Sequence, residues 1–183
     1  LLEYFQARLK ERVGDRWPQH VIAISDPGTE LLALARRDGF AAGLSAVPDV
    51  GGRYSVLTTF GLAPAALIGM DCDRLLARAQ SMAERCGARV AEGINSACRL
   101  GAAMAALARA GRDKLTLITS PRLSSFGWWA EQLIAESTGK NGVGIVPVEG
   151  EPFLAPISYG RDRLFVYVRL RSDDNAASDD QIR

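Results

Sequence analysis

Apolar residues recur at helical spacing at the start of the chain, with charged residues between them. Leu2, Phe5 and Leu9 follow one another every three or four positions, which predicts an amphipathic helix from Leu1 to about position 13. Gly14 is a suitable end for that helix. Comparable patterns predict further helices near residues 31–35 and over 55–68, 73–85, 94–110 and 124–137.

Short apolar runs closed by turn residues lie between these helices. They predict strands over residues 20–24, 40–47, 114–119, 144–148 and 164–170. Parallel neighbours need a crossover, and the crossovers here are helical, so the alternation predicts an α/β fold with a mostly parallel sheet covered on both faces. In such sheets ligands bind beyond the carboxyl ends of the strands.

Length and composition favour one domain over residues 1–171, followed by a polar, frayed tail over 172–183. Twenty-two Lys and Arg balance 21 Asp and Glu, so we expect no nucleic-acid partner. No apolar run approaches the roughly 20 residues that cross a bilayer, and the start lacks a signal-peptide pattern. We therefore expect a cytoplasmic protein without a membrane partner.

Three cysteines, Cys72, Cys86 and Cys98, form no closely spaced metal-binding pair. One histidine, His20, is too few to complete a Cys/His zinc site with them. We predict no metal site, and we interpret the cysteines as reduced and mostly buried thiols.

The first cluster with candidate chemistry is Gly51-Gly52-Arg53-Tyr54-Ser55. The two glycines allow a sharp turn or a close approach of the backbone to a ligand, and the guanidinium that follows can face an anion. An ordinary glycine turn with a solvated Arg53 explains the same residues. Local chemistry alone favours that simpler interpretation.

The second cluster lies in the helix predicted over residues 124–137. Gln132 and Glu136 are four residues apart and share one face of that helix. A partly desolvated carboxylate there can act as a base. Local chemistry alone favours a surface ion pair for Glu136, because a Glu before a Lys on an amphipathic helix usually forms one.

Taken in series, these clusters resemble the phosphoglucose isomerase family. Residues 51–55 are similar to its glycine–arginine signature, and Glu136-Ser137-Thr138-Gly139-Lys140 is similar to its catalytic-glutamate segment. Stretches 60–67, 111–118 and 131–136 fit as well, and the resemblance covers residues 2–170. It is nearest to the isomerase part of fused transaldolase/phosphoglucose isomerases. It implies a sugar-isomerase (SIS) domain, a flavodoxin-like, three-layer αβα sandwich without a cofactor.

The resemblance implies roles for four residues. Glu136 matches the family's proton-transferring base, and Arg53 matches the arginine that stabilises the enediol-like intermediate between glucose 6-phosphate and fructose 6-phosphate. Gln132 matches a glutamine that positions the substrate, and the backbone of Gly52 is expected to approach the sugar. A homodimer is implied too.

Two parts of the family's site have no counterpart in this sequence. We expect the chain to begin just after the phosphate-binding loop, and neither the ring-opening histidine nor the C-terminal lysine is matched. The isolated chain is therefore predicted to be inactive. Two other hypotheses stay open: a non-catalytic sugar-phosphate-binding module with the same fold, and a structural domain whose Arg53 and Glu136 are solvated.

Overall fold

The computed structural model describes residues 1–91 and 93–182, and the chain forms two compact units, Leu1–Gln80 and Ser81–Arg183. Each unit contains parallel strands and helices, which confirms the α/β class. The prediction of a single domain over residues 1–171 stays a prediction, since two compact units can belong to one domain.

The first unit carries a pair of parallel strands. Strand β1 pairs in register with β2, from Ile22 opposite Ala42 to Ser25 opposite Ser45. The elements are α1 (Leu2–Val13), a 3₁₀ helix (Gly14–His20), β1 (Ile22–Ser25), α2 (Glu30–Asp38), β2 (Ala42–Ser45), a 3₁₀ helix (Gly52–Leu57) and α3 (Thr59–Leu67). Helix α4 (Cys72–Arg85) runs across the boundary between the units.

A small apolar cluster holds α2 against β1. Ala23, Leu32 and Ala35 are buried, and Leu31 and Phe40 pack on them. Leu32 and Ala35 are three positions apart on α2, which places both on the face turned to the strand. The helix predicted near residues 31–35 is therefore present as α2, and one of its faces is buried against β1.

The second unit contains a three-stranded parallel sheet with the order β4-β3-β5. Strand β3 is central, and Lys114 lies opposite Val146 on one side and Arg163 on the other. The elements are α5 (Ser96–Arg109), β3 (Lys114–Thr119), α6 (Ser124–Thr138), β4 (Val146–Glu149), β5 (Arg163–Val168) and α7 (Ala176–Ile182), with 3₁₀ turns over Pro121–Leu123 and Pro156–Ser158.

The core of this unit lies on one face of its sheet. Leu115 and Leu117 of β3 are buried with Ala130 of α6, and Met104 of α5 and Ile134 of α6 pack on them. Full burial of one leucine side chain contributes roughly 1.5–3 kcal/mol. This cluster therefore fixes α5 and α6 on the same face of the sheet.

The C-terminal segment differs from the predicted frayed tail. Ser120 is fully buried at the end of β3 and donates a hydrogen bond of 2.6 Å from Oγ to Oδ1 of Asn175. Asn175 also donates through Nδ2 to the carbonyl of Leu170 at 2.9 Å. These long-range contacts order a polar segment that has no apolar periodicity of its own, and α7 follows it.

Within the described part of the chain, no helix combines the length and the apolar character needed to span a membrane.

Candidate functional site

Arg53 lies in the 3₁₀ helix Gly52–Leu57 and is half-buried. Its guanidinium carbon is 5.0 Å from the centroid of the Tyr54 ring. A cation near an aromatic face is attracted to the ring, and Arg is the residue that most often makes this contact. Tyr54 therefore restricts the positions that the guanidinium can take.

Side-chain hydrogen bonds tie this segment to its surroundings. Ser55 donates from Oγ to the carbonyl of Gly52 at 2.7 Å, and Thr58 accepts from the amide of Phe60 at 3.3 Å as the N-cap of α3. Thr59 donates from Oγ1 to the carbonyl of Ser45, the last residue of β2, at 3.3 Å. The Arg53 segment is thus attached to the carboxyl end of a parallel strand, the edge at which ligands bind in such sheets.

Two glycines of this region have different structural roles. A Cβ atom on Gly61 would overlap the carbonyl of Val56 and lie 2.9 Å from its Cα, so only glycine lets α3 pack against the 3₁₀ helix. A Cβ atom on Gly52 would meet nothing within 4 Å. Gly52 is therefore open on that side, which is compatible with the close approach expected there.

Gln132 and Glu136 form a pair on α6. The side-chain amide of Gln132 donates from Nε2 to Oε1 of Glu136 at 3.2 Å, and both residues are exposed. The buried residues of the helix are Gly127 and Ala130. At 100° per residue Glu136 lies on the other side of the helix from these two, so the carboxylate faces away from the apolar core of the unit.

The backbone after Glu136 turns tightly. Thr138 donates from Oγ1 to the carbonyl of Ile134 at 2.8 Å and accepts from the amide of Ile145 at 2.9 Å. Gly139 is the C-cap of the helix, and a Cβ atom there would lie 2.7 Å from the carbonyl oxygen of Ala135. The end of α6 that carries Glu136 is therefore held from both sides.

The structure thus brings Gln132 and Glu136 together, as their spacing predicts. Arg53 belongs to the other compact unit, so a shared cleft with Glu136 stays a prediction. The contacts of Tyr54 and Gly61 are not predicted from the sequence. An aromatic residue beside an arginine, and a glycine inside an apolar helix, are the signals that identify them.

The residues considered for metal binding do not come together. Among residues 1–91 and 93–182, no group of three or more His, Cys, Asp or Glu side chains could hold a metal ion. The prediction of mostly buried thiols is wrong, because Cys72 and Cys86 are half-buried and Cys98 is exposed. Cys72 lies in α4, Cys86 directly follows it and Cys98 lies in α5, and neither helix has a buried residue.

The fold places the chain among parallel α/β proteins, and comparison with known proteins supports this. A crystal structure of a hypothetical protein from Thermus thermophilus matches 91% of this chain and 42% of its own, with a TM-score of 0.78 and 28% identity. No family model matches the sequence.

Three similar curated proteins carry the same name. The glucose-6-phosphate isomerase of Carboxydothermus hydrogenoformans is 39% identical over 134 residues, 72% of this chain and 28% of its own length. That of Citrifermentans bemidjiense is 37% identical over 71% of this chain and 25% of its own. That of Parabacteroides distasonis is 36% identical over 76% and 32%. The chain is thus homologous to glucose-6-phosphate isomerases, confirming its resemblance to the phosphoglucose isomerase family, and spans about a quarter to a third of these relatives.

Proposed function

We propose that the chain supplies the proton-transfer part of an aldose–ketose isomerase that interconverts glucose 6-phosphate and fructose 6-phosphate. The observation that carries this proposal is the similarity to isomerases of that name at 36–39% identity over 132–145 residues. This similarity extends over more than two thirds of the chain, and the strands of the chain are parallel, as in other α/β proteins. Arg53 is half-buried and Glu136 is exposed.

The reaction moves a proton between adjacent carbons of the open-chain sugar. In our proposal the Glu136 carboxylate removes the proton from one carbon and returns it to the other, so a general base becomes a general acid within one turnover. The negative charge passes to an enediolate oxygen. A guanidinium positioned where that charge develops lowers the barrier, and we assign this role to Arg53.

The remaining groups of the site support these two. The side-chain amide of Gln132 donates to Oε1 of Glu136 at 3.2 Å, which helps to orient the carboxylate, and Gln132 itself is proposed to position the sugar. Gly52, open on its side-chain side, gives the substrate access to the backbone beside Arg53. Both assignments follow the family resemblance.

Other parts of the reaction need residues that we do not assign in this chain. The chain spans 25–32% of the first three relatives, and we assign none of its residues to phosphate binding or ring opening. We therefore propose that the isolated chain is inactive and that the activity belongs to a longer, dimeric polypeptide. A fused transaldolase domain is a further proposal.

The experiment uses the polypeptide that carries this segment, incubated with glucose 6-phosphate in deuterium oxide. We expect fructose 6-phosphate to form and deuterium to enter the carbon next to the carbonyl, because a carboxylate base exchanges its proton with solvent. Mass spectrometry of the recovered sugar phosphates measures both. Binding of glucose 6-phosphate without conversion or exchange would overturn the proposal in favour of the non-catalytic sugar-phosphate-binding module.

A further inference from the structure

The face of the three-stranded sheet opposite the leucine core is covered by a loop. Side chains alternate along a strand, so Thr116 and Ile118 of β3 and Phe165 and Tyr167 of β5 point away from the leucines of the core. The connection from β4 to β5, residues 150–162, crosses this face without a regular α-helix. The cover is incomplete, and a cavity remains between this loop, β5 and α7.

Aromatic and aliphatic side chains form most of the wall. The cavity has a volume of about 560 Å³, and Ile118, Phe153, Tyr159 and Phe165 are among its lining residues. The Tyr159 and Phe165 rings make an edge-to-face contact with centroids 5.0 Å apart. Volumes of roughly 300–1,000 Å³ with mainly apolar walls are typical of small-molecule sites.

Three of the described arginines line the same cavity, and one of them is already paired. Arg163 makes a double hydrogen bond with Glu151 at 2.8 and 3.0 Å. Arg112 and Arg161 are exposed and have no ion-pair partner within residues 1–91 and 93–182. Among the residues that the structure describes, no Asp or Glu lines the cavity. Its charge is therefore positive, from two guanidinium groups that remain available to an anion.

The tyrosine hydroxyl groups in the cavity wall already form hydrogen bonds within the protein. The Tyr159 hydroxyl accepts a hydrogen bond of 2.9 Å from the backbone amide of Leu154. The Tyr167 hydroxyl is 3.2 Å from both Asn175 Oδ1 and Asp179 Oδ1. A ligand rich in hydroxyls, such as a sugar, would find few partners here. A flat apolar body would instead fill the space between the rings.

We propose that this cavity binds a small organic anion with a planar aromatic body, of the nucleoside monophosphate class. The base packs against Phe165 and Tyr159, and the phosphate binds Arg112 and Arg161. Gln132 and Glu136 do not line the cavity, so this site is separate from the residues proposed for isomerisation and does not depend on that assignment.

Isothermal titration of the 183-residue chain tests this, with adenosine 5′-monophosphate as the probe and inorganic phosphate, adenosine and glucose 6-phosphate as comparisons. We expect the nucleotide to bind at least about tenfold more tightly than any of the three, because it alone supplies both the ring and the charge. No detectable binding of the nucleotide at millimolar concentration would overturn the proposal, and so would equal binding of glucose 6-phosphate.

Variants locate the binding. Arg161→Gln and Phe165→Leu are each expected to raise the Kd for the nucleotide about tenfold. The matched control is Arg99→Gln, at an exposed arginine of α5 outside the cavity, and its Kd should equal that of the unmodified chain. Thermal unfolding of each variant checks that the fold persists. If Arg99→Gln weakens binding as much as Arg161→Gln, the anion is attracted by general charge and the assigned cavity is wrong.

Discussion

Oε1 of Glu136 accepts a hydrogen bond of 3.2 Å from Nε2 of Gln132, one helical turn earlier on the exposed face of α6. This amide donor helps to fix the position of one carboxylate oxygen. The carboxylate is thus oriented without being buried. This arrangement suits a group that has to accept a proton from a ligand and return it.

Replacing Glu136 by glutamine removes the base but keeps the size of the side chain. In the polypeptide that carries this segment, we expect kcat for glucose 6-phosphate isomerisation to fall by about 10²–10⁴, the usual contribution of general acid–base catalysis. A coupled assay of fructose 6-phosphate formation measures it.

Glu131→Gln is the control for that variant. Glu131 is an exposed glutamate of the same helix, and its replacement should leave kcat within about twofold, because surface substitutions rarely disturb a fold. Equal losses in both variants would show that α6 tolerates no loss of charge and would remove the specific role of Glu136.

Arg53→Gln tests charge stabilisation. Because the guanidinium is proposed to act on charge that develops in the transition state, we expect kcat to fall about 10²–10³-fold with a much smaller change in KM. Arg36→Gln, at an exposed arginine of α2, is the control. A rise in KM with an unchanged kcat would instead assign Arg53 to ground-state binding.

Gly61→Ala places a methyl group against the backbone of Val56. Backbone atoms cannot rotate away, so we expect the variant to lose about 1–3 kcal/mol of unfolding free energy. Urea denaturation measures this. Gly101→Ala in α5 is the matched control, because its Cβ meets nothing within 4 Å, and it should gain about 0.5–1 kcal/mol. A stable Gly61→Ala variant would mean that α3 and the Arg53 segment can separate.

Ser120→Ala removes the centre of a buried polar contact. Its Oγ donates to Asn175 and accepts from the amide of Leu170, both at 2.6 Å. Two partners lose their hydrogen bond inside the protein, and we expect a loss of about 1–3 kcal/mol of unfolding free energy. The exposed Ser125→Ala should change it by less than about 0.5 kcal/mol. Denaturation curves that coincide for the two variants would contradict this.

Lys114 and Asp162 form an ion pair with a distance of 3.0 Å between Nζ and Oδ2. This pair makes the unfolding free energy depend on pH in the acidic range. Hydrogen bonding from Lys114 lowers the pKa of the Asp162 carboxyl. A carboxyl with a lowered folded pKa stabilises the protein above its unfolded pKa of about 3.9, and this contribution is lost as the pH falls through the folded pKa. The unfolding free energy of Asp162→Asn should therefore fall less steeply than that of the unmodified chain below about pH 4. Identical slopes in urea titrations would refute it.

Local patterns predicted most of the regular structure. Strand β3 runs over Lys114–Thr119 as its apolar run predicts, and α6 ends at Gly139. Helix α7 was not predicted, because residues 172–182 are mostly polar and lack apolar periodicity. Their order depends on Asn175 meeting Ser120, which is 55 positions away in the chain, and no local pattern reports such a contact.

For the candidate site, too, the sequence predicted only local contacts. Four-residue spacing was enough to pair Gln132 with Glu136, because a helix fixes that geometry. The contact of Arg53 with Tyr54 depends on the side-chain conformations of a 3₁₀ helix that the sequence did not indicate. Arg53 and Glu136 are 83 positions apart in the chain, and only the family resemblance indicates that they share one site.

The central place of β3 has a consequence during synthesis on the ribosome. Strand β3 is complete at Thr119, but its second neighbour begins only at Arg163. At ribosomal speeds of about 5–20 residues per second this delay lasts roughly 2–9 s. During that time an apolar strand has an unpaired edge, which other nascent chains can join. We therefore expect slower translation between these two strands to increase aggregation of the nascent protein without any change in its sequence.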